Sequence, residues 1–371
     1  MTATREAPAR ATRARGAWHL TWSGIVLVAQ LEMRQRLRST KWKWALAVFA
    51  VLVGAVTLLL EATVSDQGGG PGDIVFGVIV FFVLFLGLLV SPTLSATSIN
   101  GDNKEGTLAP LQATTLSAVD IVVGKLLAAW AASLAFLGVA VPFIVWGFIG
   151  SGAPLGTVLV TVLVLALELL VVCALGLGWS AIVSRTSASA VLSYVTVATL
   201  SVLTLVFFGL SLVLVQEPVT VRTYDANWED GKDTPDGCTW TEYTYDQPRT
   251  DRTWWLLAAN PFVIVADAAP SIDQVSTSRY DSPQTMLGSI KYAVREARLG
   301  PQTVQNNCWV GEREPELLPE EIARRQQLTG LSAVWPWGLG FHALLSAGAI
   351  WLAVRRIAVP HGKLSAGTRV A

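Results

Sequence analysis

A chain of 371 residues that is 52% hydrophobic and 15% charged, with a mean hydropathy of +0.49, is too apolar for a soluble globular domain and reads as an integral membrane protein. Its 27 basic and 27 acidic residues cancel, and no nucleic-acid partner is expected. The three histidines, His19, His342 and His361, are scattered, no His-Glu-x-x-His or Cys-x-x-Cys spacing occurs, and no nucleophile-elbow pattern is present, so neither a metal site nor a hydrolase centre is expected.

Residues 1–16 are basic, and the stretch that follows, "AWHLTWSGIVLVAQLEMRQRLRSTKWKW", lacks the apolar core and cleavage site of a signal peptide. No cleavage is expected. Ile25, Leu27, Val28, Leu31 and Met33, followed by Arg34, Arg36, Arg38, Lys41 and Lys43, read in one of two ways. They form an amphipathic helix in the inner headgroup layer leading into the first span, or a plain basic flank that orients it. A bilayer core takes roughly 20 apolar residues in helical form, and six stretches qualify: 44–60, 74–94, 121–148, 155–183, 188–215 and 331–354. An even number puts both termini on one side. Between the fifth and sixth spans, segment 216–330 holds 11 basic against 18 acidic residues; every other Lys and Arg falls on the opposite side. Basic residues mark the cytoplasmic face. The expectation is therefore a multi-pass protein of the cell membrane with cytoplasmic termini and 216–330 outside. Trp42, Trp44, Trp179 and Trp351 near inner span ends, and Trp146, Trp335 and Trp337 near outer ones, fit interfacial belts.

Between the second and third spans lies "TSINGDNKEGTLAPLQATTLSAVDIVVGK", polar and glycine-punctuated between apolar flanks. Leu108, Leu111 and Leu116 line up as the apolar stripe of a short helix. The segment resembles the loop of ABC-2 permeases, the transmembrane subunits of ATP-binding cassette exporters: an acidic residue, Gly-Thr-Leu, a leucine, a Thr-Pro-x-Ser turn, then Gly-Lys. Here the acidic position is Asp102 or Glu105, followed by Gly106, Thr107 and Leu108, then Leu111, the turn Thr114 to Ser117, and Gly124 with Lys125. The usual proline is Thr115. The N-terminal entry, the six spans and "NPFVIV" at 260–265 extend the resemblance. It implies that 96–118 is a cytoplasmic coupling loop docking on an ATPase, with charges at Asp102, Lys104 and Glu105 fixing register; the bland alternative is a solvated loop. No phosphate cradle is found: Gly101 and Gly106 have the spacing, but Thr107 stands where lysine is required. ATP and Mg would therefore sit on a separate ABC ATPase subunit, this chain binding no cofactor and catalysing nothing. Half a pathway per chain implies a second permease chain, identical or similar.

Glu168 is the lone mid-span carboxylate. It reads as a pathway residue or as protonated packing glue. Span five offers Ser193, Thr196, Thr199 and Thr204, and span two ends in Ser91, Pro92 and Thr93. The resembled class places both spans on the pathway, although small hydroxyls also serve helix packing. In 216–330 the first half favours short strands or irregular structure, and 254–268 and 286–298 favour amphipathic helices that lie on the outer leaflet or cap the pathway. Cys238 and Cys308 fall in this oxidising region, where a disulfide is expected and two separate thiols are the alternative.

The expected fold is an all-α polytopic membrane protein with six transmembrane helices, an amphipathic N-terminal helix, a cytoplasmic coupling helix and a small α+β or irregular extracellular domain. Its parts are 1–43, 44–215, 216–330 and 331–371. The expected function is the permease subunit of an ABC-2 exporter of an amphipathic or lipid-like compound or drug. The rivals are a secondary transporter or a membrane-embedded enzyme using Glu168.

Overall fold

The computed structural model describes residues 16–65, 72–107, 114, 116–149, 151, 154–226, 237–270, 285–308, 317–330 and 332–358. Helix α1 (Trp22–Arg38) leads into α2 (Thr40–Ser65), followed by α3 (Gly72–Ser95) and the short α4 (Ser98–Glu105). Then come α5 (Ala118–Ile149) and α6 (Leu155–Ile182). The next rod is broken into α7 (Thr186–Ala198), a π turn (Thr199–Leu203) and α8 (Thr204–Leu214). Among the described residues six rods are long and apolar enough to cross a membrane, the last being Trp335–Ile357. The expected windows all fall on these rods, with ends shifted by local chemistry. The last rod starts at Trp335 rather than at 331 because Pro336, which has no N–H to donate and a preset φ, sits in its first turn.

The rods pack around α3. In its most apolar window 56% of residues are buried, against 17% in α2 and in the fifth rod. The largest core joins α2, α3, α5 and α6 through residues such as Phe49, Val80, Leu84, Phe136, Leu165 and Leu169. Edge-to-face contacts of Phe136 with Trp42 (5.0 Å) and Phe49 (5.2 Å) add directional packing to this burial.

The fifth rod runs on into β1 (Gln216–Ala226), which pairs antiparallel with β2 (Cys238–Pro248) from Gln216↔Pro248 to Ala226↔Cys238. A short β3 (Val304–Asn307) joins β1 in parallel, giving the order β2-β1-β3. The alternation of Val, Thr and Tyr in β1 buries Val221 and Thr223 on one face. Cys238 and Cys308 form a disulfide with Cα atoms 5.7 Å apart, tying the start of β2 to the end of β3 across the end of β1.

Between the sheet and the last rod lie α9 (Trp255–Ala258), α10 (Pro261–Ala268), α11 (Met286–Leu299) and α12 (Pro319–Thr329), then α13 (Trp335–Ile357). The two stretches expected as outer amphipathic helices differ in burial, α11 being partly exposed and α10 almost wholly buried. In α10, Val263 to Ala268 are all buried, because the helix presents only one charge, Asp267, and wedges into the bundle. That charge is satisfied internally. Asp267 accepts from Arg295 Nε (2.5 Å) and from the backbone N–H groups of Val334 (2.6 Å) and Trp335 (2.8 Å), capping the start of α13. Arg295 also donates to the carbonyls of Leu328 and Thr329 at the end of α12, so one ion pair closes two helix ends.

Candidate functional site

The polar segment after α3 is anchored before it becomes exposed. Ser180 at the end of α6 accepts the N–H groups of Ile99 (2.9 Å) and Asn100 (3.2 Å), and Asn100 Nδ2 donates to the Val183 carbonyl (3.1 Å). Helix α4 is thus fixed to α6 through its first turn. It ends where Gly106 adopts φ +74°, a conformation that favours glycine. Glu105, Gly106 and Thr107 are exposed there. Leu108 and Leu111, which carry the expected apolar stripe, lie outside the described residues, as does Thr115. The Leu116 N–H reaches Thr114 Oγ1 at 3.4 Å.

Ser117 and Asp120 cap α5 reciprocally. The Asp120 N–H donates to Ser117 Oγ (3.1 Å), and the Ser117 N–H donates to the Asp120 carboxylate (3.3 Å). This is why the third rod begins at Ala118. The same carboxylate accepts the N–H (2.7 Å) and the hydroxyl (2.5 Å) of Thr21, which seats the start of α1 on the start of α5.

Farther along the same interface, Gly124 and Lys125 have separate roles. A Cβ at position 124 would lie 2.6 Å from the Val28 side chain and 2.9 Å from the Ile25 carbonyl, so glycine lets α1 lie directly on α5. The Lys125 side chain is fully buried. Its ammonium pairs with Glu32 of α1 and with Asp102 of α4, whose side chains are 19% and 24% exposed. One cation thereby holds α1, α4 and α5 together. One turn beyond Glu32, Arg36 donates to the Leu94 carbonyl at the end of α3 (2.9 Å); burial holds its guanidinium below the ordinary value, with Glu32 opposing.

The two candidates for the acidic position are thus separated by the structure. Asp102 is turned inward onto Lys125, and Glu105 faces out. Glu32 was missed from sequence because a single Glu on a basic amphipathic helix is unremarkable until α5 is laid beside it.

Within the bundle, Glu168 on α6 and His342 on α13 are each 1% exposed, with Oε2 to Nδ1 at 2.9 Å. The two residues are 174 positions apart in sequence and in direct contact. His342 Nε2 faces the Ala259 carbonyl at 3.0 Å, and a carbonyl only accepts, so Nε2 carries a proton. The carboxylate and the imidazole thus satisfy each other's polar atoms, which an apolar interior requires.

The expected hydroxyls differ in burial. Ser91 is buried against Ser133 (3.1 Å), which in turn meets Cys173 (3.4 Å). Exposed Thr93 donates to its own helix at Val90 (2.6 Å). Ser193 is buried and donates to Ser189 O, Thr196 accepts from Trp179 Nε1 (2.9 Å), and exposed Thr199 donates to Val195 O. Each of these hydroxyls is bonded within the protein.

Among curated proteins none matches the chain. Residues 26–294 match the family described as ABC-2 family transporter protein. The match runs from the first turns of α1 through five rods, the anchored α4 and the Lys125 cluster into α11, well over half of the molecule, and the chain belongs to the ABC-2 family of transporter membrane proteins.

Proposed function

We propose that this chain is the permease subunit of an ABC exporter, working with a second permease chain and with separate ATPase subunits. Membership of the ABC-2 family is the observation that carries the reading. The geometry adds a surface for the ATPase. Glu105, Gly106 and Thr107 are exposed at the end of α4, while Lys125 ties α4 to both α1 and α5. A push on α4 would therefore move a three-helix corner as one body. The charge segregation of the sequence supports placing that corner in the cytoplasm and the sheet outside. Spans one and five, largely unburied in one protomer, offer surface for a second permease chain. An amphipathic or lipid-like cargo fits the apolar walls.

The test is co-expression with a candidate ATPase and reconstitution in proteoliposomes. The expected result is a complex whose ATP hydrolysis drives efflux and is uncoupled from it by Glu105→Ala with Leu108→Ala, at unchanged assembly. A chain that transports with no ATPase present would sink the reading.

The Glu168–His342 pair supports a second reading, a secondary transporter with Glu168 as proton relay. That reading requires uptake or efflux driven by a proton gradient alone and abolished by Glu168→Gln.

A further inference from the structure

Span five is not a continuous α-helix. At Thr199–Leu203 it makes a π turn, in which the Thr204 N–H reaches the Thr199 carbonyl. Such a turn takes one more residue than an α turn and recurs at functional sites. Here it does not stand alone. The side-chain amide of Asn260 donates to the Ser201 carbonyl (2.7 Å) and to Thr204 Oγ1 (3.0 Å). The Ser201 hydroxyl is buried without a partner, so the turn does not satisfy its own polar groups.

Asn260 is completely buried. Its Oδ1 faces the other way and accepts the N–H groups of Phe262 (2.9 Å) and Val263 (3.4 Å), capping α10. One side chain therefore holds the start of α10 with its oxygen and the π turn with its nitrogen.

The backbone that carries Asn260 is fixed in turn. The adjacent Ala259 carbonyl accepts from His342, which Glu168 holds on its other side. One turn before His342, on the same face of α13, Gly338 admits this 258–264 segment; a Cβ there would lie 2.7 Å from the Ile264 side chain. A buried polar chain thus runs from α6 through α13 and the segment ahead of α10 into the middle of span five. Its members come from four elements, and its end is the one irregular turn of the fifth rod.

We propose that Asn260 is a positioning residue for transport. It holds span five in its π-turn form, with Glu168 and His342 fixing the segment that carries it, so that the outer half of the span moves with α10. The proposal deepens the permease reading and rests on it for the word transport. The plainer account is a π turn that merely absorbs one inserted residue.

Two variants separate these accounts in the assembled complex in nanodiscs. Asn260→Ser keeps an oxygen to cap α10 but cannot reach Ser201. Deleting Val202, which is exposed, removes the extra residue and lets the rod become a continuous α-helix. Spin labels on Val213→Cys and Trp337→Cys report the position of α8 against α13. Asn260→Ser is expected to broaden or shift that distance distribution and to lower transport about tenfold, the effect of one lost hydrogen bond, with basal ATP hydrolysis unchanged. The Val202 deletion is expected to lose transport with a narrow distance distribution. Parental distances and transport in Asn260→Ser, or parental transport in the deletion, would overturn the proposal. If no ATPase assembles with the chain the permease reading falls, while the distance measurement still decides whether Asn260 holds the turn.

Discussion

Lys125 shows what a single residue can decide. Its ammonium has no access to solvent, and its two carboxylate partners keep about a fifth to a quarter of their surface. Removing the cation leaves two like charges facing each other across α1 and α4. Orphaning a fully buried charge costs roughly 3–5 kcal/mol; because Glu32 and Asp102 can rehydrate, Lys125→Met is expected to cost less than that. Adding Glu32→Gln and Asp102→Asn to Lys125→Met should restore most of the lost thermal stability in detergent. Stability that stays low in the triple variant would show that the lysine acts through its packing rather than its charge. The sequence made Gly124 and Lys125 visible as a pair and gave no sign of Glu32, whose partner lies 93 positions away.

At the scale of elements, the outer sheet depends on the Cys238–Cys308 bond, which closes a loop of 70 positions. The chain-entropy argument assigns such a loop about 4 kcal/mol. The sheet has three strands, one of them four residues long, and its exposed strand β2 buries little. Cys238→Ser with Cys308→Ser is therefore expected to open the sheet while leaving the rods folded. Limited proteolysis checks this: new cuts between 216 and 248 with intact spans are the expected pattern. Unchanged proteolysis would mean that the β1–β2 pairing suffices alone. Strands, with irregular structure as the alternative, were legible here because the first half of the segment is rich in Thr, Tyr and Trp. The buried α10 was not, since an apolar octapeptide reads the same on a leaflet as inside a bundle, and only the Arg295–Asp267 pair removes its charge from water.

At the scale of the molecule, the six rods and the charge asymmetry together predict sidedness. Thr244→Cys in β2 should react in intact cells with a membrane-impermeant maleimide, and Arg185→Cys at the opposite end should react only after permeabilisation. The background is low, since Cys173 is buried and the other two cysteines are bonded. Labelling of position 185 from outside would invert the topology and move the proposed ATPase surface to the wrong face.

Span number, span position and the strand-rich outer segment were determined by sequence alone, because the bilayer requires long apolar helices and a run rich in Thr, Tyr and Trp favours strands. The match to a shared loop motif drew on the same local order of residues. What only the tertiary structure decided are the pairings between distant positions: Lys125 with Glu32, Glu168 with His342, and Asn260 with the π turn of span five. Each joins side chains from different helices at depths where an unpaired polar group is costly. Local sequence reports the cost of such a group, as it did for Glu168, but the partner is chosen by which helix faces it, and that is set by the packing of the whole bundle.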